Sequence, residues 1–277
     1  MSLEIMPGAG REPNGIGEPG GTPQPGLPQL VSARPATRRS STSRLIDAVF
    51  PSSTTLGGQR GGAVGGAVEG ASRLKLAFEQ MKRALDLSLG SVLLVASAPI
   101  VIAAALAIAI ESPGSPFFVQ TRLGKNGKPF RILKLRGMYR DARQRFPELY
   151  DYSVEKGLDF YFHFADDPRV TRVGRFTRRT SIDELPNLWN VVVGDMSLVG
   201  PRPEIPDVLE LYGDYRAEYL SVKPGVTCIS KCTGRDRLTK RETIELDLGY
   251  IRMRGMRIDL RILWRTFCGV VLRRNVH

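Results

Sequence analysis

The sequence predicts an α/β chain tied to a membrane, and three observations predict it. From Leu87 to Ile110 no residue carries a charge. Beyond that stretch, short apolar runs are punctuated by Gly and Pro, the pattern of strands and turns. Further on, apolar residues recur at helical spacing.

The elements follow in chain order. The first seventy or so residues are rich in Gly, Pro, Ser and Thr, as in Gly15-Ile16-Gly17-Glu18-Pro19-Gly20-Gly21-Thr22-Pro23. They hold few large apolar side chains to offset the entropy of ordering, so a disordered tail is expected. Arg11 is not followed by an apolar core, so no secretory signal is expected here. Forty Lys and Arg against twenty-eight Asp and Glu leave a formal charge of +12. The excess points to an anionic partner: nucleic acid, acidic lipid or a phosphorylated substrate. Cys228, Cys232 and Cys268 cannot all pair and lack close CxxC spacing, so reduced thiols are expected.

As a helix, Leu87–Ile110 would be about 36 Å long against about 30 Å of bilayer hydrocarbon. Pro99 lies in its middle, where it removes a backbone bond and predicts a kink or break. Arg73, Lys75, Lys82 and Arg83 precede the segment, and Arg122, Lys125, Lys128, Arg131, Lys134 and Arg136 follow it. A straight span would strand one basic cluster on the non-cytoplasmic side, whereas a helix that turns near Pro99 keeps both inside. A re-entrant helix and a kinked span both stay open on these residues. Near the C-terminus Arg257, Arg261 and Arg265 fall on one helical face, with Ile258, Ile262, Leu263, Phe267 and Val270 over much of the rest. Such a helix, with Trp264, either lies in the headgroup region or packs on the domain core.

Phe117-Phe118-Val119 and Phe130-Arg131-Ile132-Leu133-Lys134, separated by Gly124, Gly127 and Pro129, predict two short strands joined by a turn. Lys134 and Arg136, two residues apart, would leave the second strand on one side.

The stretch richest in chemistry is Thr171 to Pro186, where Arg172, Arg175, Arg178 and Arg179 precede the adjacent acids Asp183 and Glu184. Ser181 to Glu184 matches a capping box, but Pro186 would then sit where a helix needs its N–H. With Asp183 as the cap, Pro186 falls at the third helical position, where no donor is required. Leu185, Leu188, Trp189 and Val192 would then line one face as core. A carboxylate at a helix start beside arginines stays ionised, which suits a metal ligand or a nucleophile toward phosphorus; a purely structural cap is the other reading. Downstream, Pro201 and Pro203 hold Arg202 extended, so its guanidinium loses little entropy on gripping phosphate. The loop Lys223-Pro224-Gly225-Val226-Thr227 leads on to Gly234-Arg235.

At these residues the chain resembles the bacterial sugar transferase family, the monotopic polyprenyl-phosphate phosphoglycosyl transferases. The resemblance runs from about Lys82 to the C-terminus. It rests on Lys82-Arg83 with Asp86, Gln120 to Gly124, Lys134 to Met138, Asp167 to Thr171, Ser181 to Pro186, Gly194 to Ser197 and Val199 to Pro203. It implies a small α+β cytoplasmic domain (113–277) on a re-entrant membrane helix (76–112) with interfacial amphipathic helices; the Gly/Pro-rich tail (1–75), expected from composition, lies outside it. It implies location at the cytoplasmic face of a bacterial inner membrane, and Mg²⁺-dependent transfer of a sugar 1-phosphate from a UDP-sugar to undecaprenyl phosphate with release of UMP. Asp183 would be the nucleophile and a metal ligand, Glu184 its dyad partner, and Arg178 and Arg202 phosphate-binding groups. Lys134, Arg136 and Arg235 are possible substrate contacts. The implied partners are the UDP-sugar, the polyprenyl phosphate and membrane lipid, with no nucleic acid; a homo-oligomer stays open. Two departures stand out: Ala98-Pro99 replaces the usual Ser-Pro, and Cys228, Lys231 and Cys232 interrupt a loop that ordinarily reads Gly and later Gln-Val. A membrane-tethered nucleic-acid-binding protein would also explain the charge, but no recognised binding motif or aromatic-rich basic surface supports it. A non-catalytic scaffold is the third class.

Overall fold

The computed structural model describes residues 64–150, 167–233 and 238–271. Helix α1 (Val64–Glu111) begins inside the stretch read as tail and contains Pro99; the tail before Val64 lies outside the described residues. Its portion Ser72–Glu111 is long and apolar enough to cross a membrane, and most of that surface faces away from the rest of the protein. Val95, Ile102, Leu106 and Ile110 are among its exposed apolar side chains. Pro99 frees the carbonyl four residues before it, that of Val95. Ser97 Oγ donates instead to the adjacent carbonyl, Leu94 O, at 3.2 Å.

Both flanks of the apolar segment are anchored to the folded part that follows. On one side Arg83 donates to the carbonyls of Val191 and Val192, and Asp86 accepts from Ser197 Oγ and Leu198 N. On the other side Glu111 accepts from Arg172 N at 2.7 Å and Val173 N at 2.9 Å, while Ala105 and Ile108 pack with Leu135, Val173 and Ile182.

The two expected strands form an antiparallel hairpin, β1 (Phe117–Leu123) and β2 (Pro129–Leu135), in register from Phe117 opposite Leu135 to Leu123 opposite Pro129. Asn126 and Gly127 turn the chain at φ 58° and 74°. Phe130 and Ile132 point inward, whereas Phe117, Phe118 and Val119 are exposed. Next come α2 (Ala142–Arg145), α3 (Arg172–Thr180) and α4 (Asn187–Val193). Strands β3 (Ser197–Val199) and β4 (Gly225–Thr227) pair in parallel, with α5 (Pro206–Glu210) and α6 (Tyr215–Tyr219) between them in sequence. Helices α7 (Ile229–Thr233), α8 (Lys240–Met253) and α9 (Met256–Val271) follow, α8 opening on a capping box between Thr239 and Glu242. The core gathers Ile132, Leu188, Val191, Met196, Leu198, Val208, Leu209, Leu246 and Ile262, each burial contributing roughly 1.5–3 kcal/mol. A mixed helix-and-strand architecture was expected and is what the chain adopts.

One local expectation needs correction. Helix α4 starts at Asn187, later than assumed, so its buried residues are Asn187, Leu188, Asn190 and Val191, while Trp189 is exposed. In α9, Ile262 is buried and Ile258 and Leu263 pack on the core, but Phe267 turns outward and stacks on Trp264 at 5.9 Å between ring centroids. The helix therefore both packs on the core and presents an aromatic outer face.

Candidate active site

The site grows from a break between two helices. Thr171 caps α3, accepting from Gly174 N at 2.9 Å. The helix packs so closely on the end of β2 that a Cβ at Gly174 would lie 2.1 Å from Gly137 O. Only glycine permits that approach, and it brings Arg178 alongside Gly137, whose own added Cβ would lie 2.9 Å from Arg178 Nε. Ser181 ends α3 in the left-handed conformation, φ 59°. The chain then makes a 3-10 turn, Ile182–Glu184, before α4.

This geometry corrects the capping expectation. Asp183 lies inside the 3-10 turn and is not a helix cap; Ser181 makes no side-chain capping bond to that turn, and Pro186 stands just before α4. The left-handed residue at the end of α3 consumes the positions where a cap would have stood.

Glu184 is buried, at 7% exposure, and both its oxygens meet ammonium groups. Lys134 Nζ lies 3.1 Å from Oε1, and Lys231 Nζ bonds to Oε2. Lys231 Nζ also donates to Val226 O at 2.6 Å. Burial pushes the Lys134 ammonium below its ordinary range, with Glu184 opposing that shift and Arg202 and Lys231 adding to it. Arg202 is anchored through its backbone: its N–H donates to Asp247 Oδ2 at 3.0 Å and its carbonyl accepts from Tyr219 O–H at 2.9 Å. Burial disfavours the Arg202 charge, but Glu184 and Glu204 outweigh it and hold its pKa above the usual value. These groups line one small cavity, with Arg122, Lys134, Glu184, Asn187, Arg202 and Lys231 as its polar walls. Four cations thus face one carboxylate.

Asp183 adjoins this cavity but does not line it. Its charge acts on both Lys134 and Arg178. Arg178 is depressed chiefly by burial, with Asp183 and then Asp167 pulling the other way. Asp167 in turn holds Arg169 through Oδ2 at 2.8 Å.

Of the residues singled out from sequence, the structure brings Lys134, Glu184 and Arg202 into one cavity and sets Asp183 with Arg178 beside it. Arg136 is elsewhere: its guanidinium donates to the carbonyls of Ser112 and Pro113, where it ties β2 to the end of α1. Arg235 lies outside the described residues. Sequence reasoning missed Arg122, Asn187 and the placement of Lys231. Arg122 Nη1 donates to Pro203 O at 3.1 Å, bracing the turn that carries Arg202. Asn187 is 2% exposed, and its Oδ1 has no hydrogen-bond partner among the described residues. Such a buried acceptor in a cavity of donors is a mark of a ligand site. Lys231 stood out only as a departure from the usual loop, a signal without an assigned role.

Among the described residues no three His, Cys, Asp or Glu side chains gather as a metal cluster. Within the adjacent acidic pair, Glu184 is engaged by two ammonium groups.

Comparison with known proteins places these motifs. Residues 77–273 match the protein-family model described as bacterial sugar transferase. Over 212 residues the chain is 39% identical to a UDP-glucose:undecaprenyl-phosphate glucose-1-phosphate transferase of Caulobacter vibrioides, covering 73% of this chain and 74% of that protein. It is 37% identical over 198 residues to an undecaprenyl-phosphate galactose phosphotransferase of Salmonella typhimurium, covering 70% and 41%. With the galactosyl transferase CpsE of Streptococcus agalactiae it shares 42% over 165 residues, covering 59% and 36%. The chain spans less than half the length of several curated relatives that it matches.

Proposed function

The chain belongs to the bacterial sugar transferase family, and from that premise we propose that it transfers a sugar 1-phosphate from a UDP-sugar to undecaprenyl phosphate at the cytoplasmic face of the bacterial inner membrane, an early step of exopolysaccharide or related glycan assembly. The observation that carries this reading is the cavity in which Arg122, Lys134, Arg202 and Lys231 surround Glu184, with Asp183 adjoining. Diphosphate oxygens repel an anionic nucleophile unless cations neutralise them, and this cavity supplies cations in excess.

Asp183 attacks the β-phosphorus through one carboxylate oxygen. The bond from that phosphorus to the oxygen bridging to the α-phosphate breaks, its electron pair leaves with UMP, and the phosphosugar stays on Asp183. An oxygen of the polyprenyl phosphate then attacks the same phosphorus, forming the lipid diphosphate sugar and returning the Asp183 carboxylate. Arg178 and Arg202 hold phosphate oxygens, Arg202 on a backbone fixed by Asp247 and Tyr219. A magnesium ion on Asp183 and the diphosphate would add Lewis-acid charge neutralisation. Contacts from both flanks of the apolar segment to one folded body support a re-entrant segment with both ends cytoplasmic.

Intact-protein mass spectrometry of the full chain with a panel of UDP-sugars and no lipid acceptor tests the chemistry. A phosphosugar adduct and UMP are expected, and both should vanish in Asp183→Asn. An adduct that persists in Asp183→Asn would move the nucleophile, first to Glu184.

A further inference from the structure

At the foot of the apolar segment two cations converge on one glycine. Gly194 ends α4 at φ 96°, and a Cβ built on it would lie 3.4 Å from Arg83 Nη2 and 3.7 Å from Lys223 Nζ. Arg83 is fixed there by the last turn of α4, donating from Nη1 to Val191 O at 2.7 Å and from Nη2 to Val192 O at 2.9 Å. A guanidinium carries five N–H groups, so these two bonds leave it further donors. Lys223, two residues before β4, is half-buried, and its ammonium makes no hydrogen bond or ion pair among the described residues. Burial pushes its pKa below the ordinary range, and Arg83 and Lys125 add to that shift against Asp86 and Asp195. Asp86 is itself taken by Ser197 Oγ and Leu198 N. An anion bound by this pair of cations relieves their mutual repulsion.

The surroundings select the anion. Arg83 precedes by one helical turn, a rise of about 6 Å, the residue Leu87 where the charge-free stretch begins. Helix α4 packs on that stretch through Val191, which a Cβ at Gly90 would meet at 3.1 Å. Its Trp189 and Val193, four apart on one face, are 54% and 50% exposed. The cations therefore adjoin exposed apolar surface at the level where the apolar segment ends, which is the depth of lipid headgroups and of interfacial tryptophans.

From this geometry we propose that Arg83 and Lys223 form a binding site for the phosphate of an anionic phospholipid whose acyl chains run along Trp189, Val193 and the apolar segment. A soluble phosphate would meet the same cations but leave the apolar flank in water, so the occupant is a lipid. The site is separate from the transfer reaction, since neither cation lines the cavity around Glu184. It rests on the functional reading above only for the seating of the apolar segment in lipid. Lys223→Arg keeps a cation at the position and should preserve the wild-type behaviour.

The test is native mass spectrometry of the full chain in detergent micelles, titrated with phosphatidylglycerol and, separately, with phosphatidylcholine. Wild type is expected to prefer phosphatidylglycerol, and Lys223→Gln to bind it about fivefold more weakly, the scale of one cation at a lipid surface. Arg143→Gln, which removes an exposed cation of α2, is expected to leave binding unchanged. Inorganic phosphate added to the lipid-bound protein is the arm for a free anion and is expected to displace no lipid. Thermal melting of each variant verifies folding, and Lys223→Met stands in should Lys223→Gln not fold. Equal binding of the two lipids by wild type, wild-type affinity in a folded Lys223 variant, an equal loss in Arg143→Gln, or displacement by inorganic phosphate would overturn the proposal. Absence of UMP release by wild type with every UDP-sugar would instead count against the transfer reaction and leave the lipid comparison legible.

Discussion

Lys82 Nζ lies 2.5 Å from Asp259 Oδ2, a contact that joins the base of the apolar segment to the C-terminal helix across 177 positions of sequence. Lys82 donates also to Val199 O at 2.9 Å, and Tyr250 O–H donates to the other Asp259 oxygen at 2.7 Å. The pair is buried, with side chains 10% and 1% exposed, and each charge depends on its partner.

Replacing Lys82 by Met strands Asp259 as a buried charge. The expected cost is about 3–5 kcal/mol, read as a lowered melting temperature in detergent. The double variant Lys82→Met with Asp259→Leu should recover much of that loss, because no charge is left uncompensated. Additive losses in the double variant would show that the two residues stabilise the fold independently.

Asn187 offers a test in which substrate binding and stability separate. Among the described residues no donor meets its buried Oδ1, so Asn187→Leu, of similar size, should leave stability unchanged or slightly raised. If the acceptor serves a donor on the substrate, the same change should raise KM for the UDP-sugar about tenfold with little change in melting temperature. A marked loss of stability with unchanged KM would make Asn187 a packing residue.

Asp247 sets a pH signature beneath Arg202. Complete burial pushes its carboxyl up to about 6, against the donors Arg202 N–H, Tyr219 O–H and the charge of Lys240. The unfolded chain releases this proton near pH 4. Between about pH 4 and about 6 the folded state binds the proton more tightly, so this contribution is fully present below that window and is lost as pH rises through it. The loss is on the order of 2–3 kcal/mol. Denaturant unfolding at intervals across that window should show the fall, and Asp247→Asn should flatten it. An equal slope in the two proteins would mean that another group titrates.

Much of this arrangement was legible in the sequence, for reasons that differ from element to element. The β1–β2 hairpin was readable because its apolar runs and its glycines are local signals. Arg202 was readable because flanking prolines restrict it whatever the rest of the chain does. The setting of Asp183 was not readable in detail: the left-handed turn at Ser181, which displaces the start of α4 to Asn187, depends on α3 closing against Gly137. That contact is tertiary and leaves no local pattern. Arg136 was misplaced for a similar reason, since strand alternation gives the side on which it emerges but not the carbonyls of Ser112 and Pro113 that await it. Asn187 and Lys231 became site residues only when α4 and α7 were brought to one cavity from positions far apart in sequence.

The long reach of Lys82 and Asp86 has a consequence for biosynthesis. At roughly 5–20 residues per second, a ribosome makes Asp259 about 10–35 s after Lys82. The partners of Asp86, Ser197 and Leu198, also emerge well after it. During that interval the apolar segment and its charged base exist without the body that later clasps them. The clasp can therefore close only after Asp259 has been made, as a lock applied from behind.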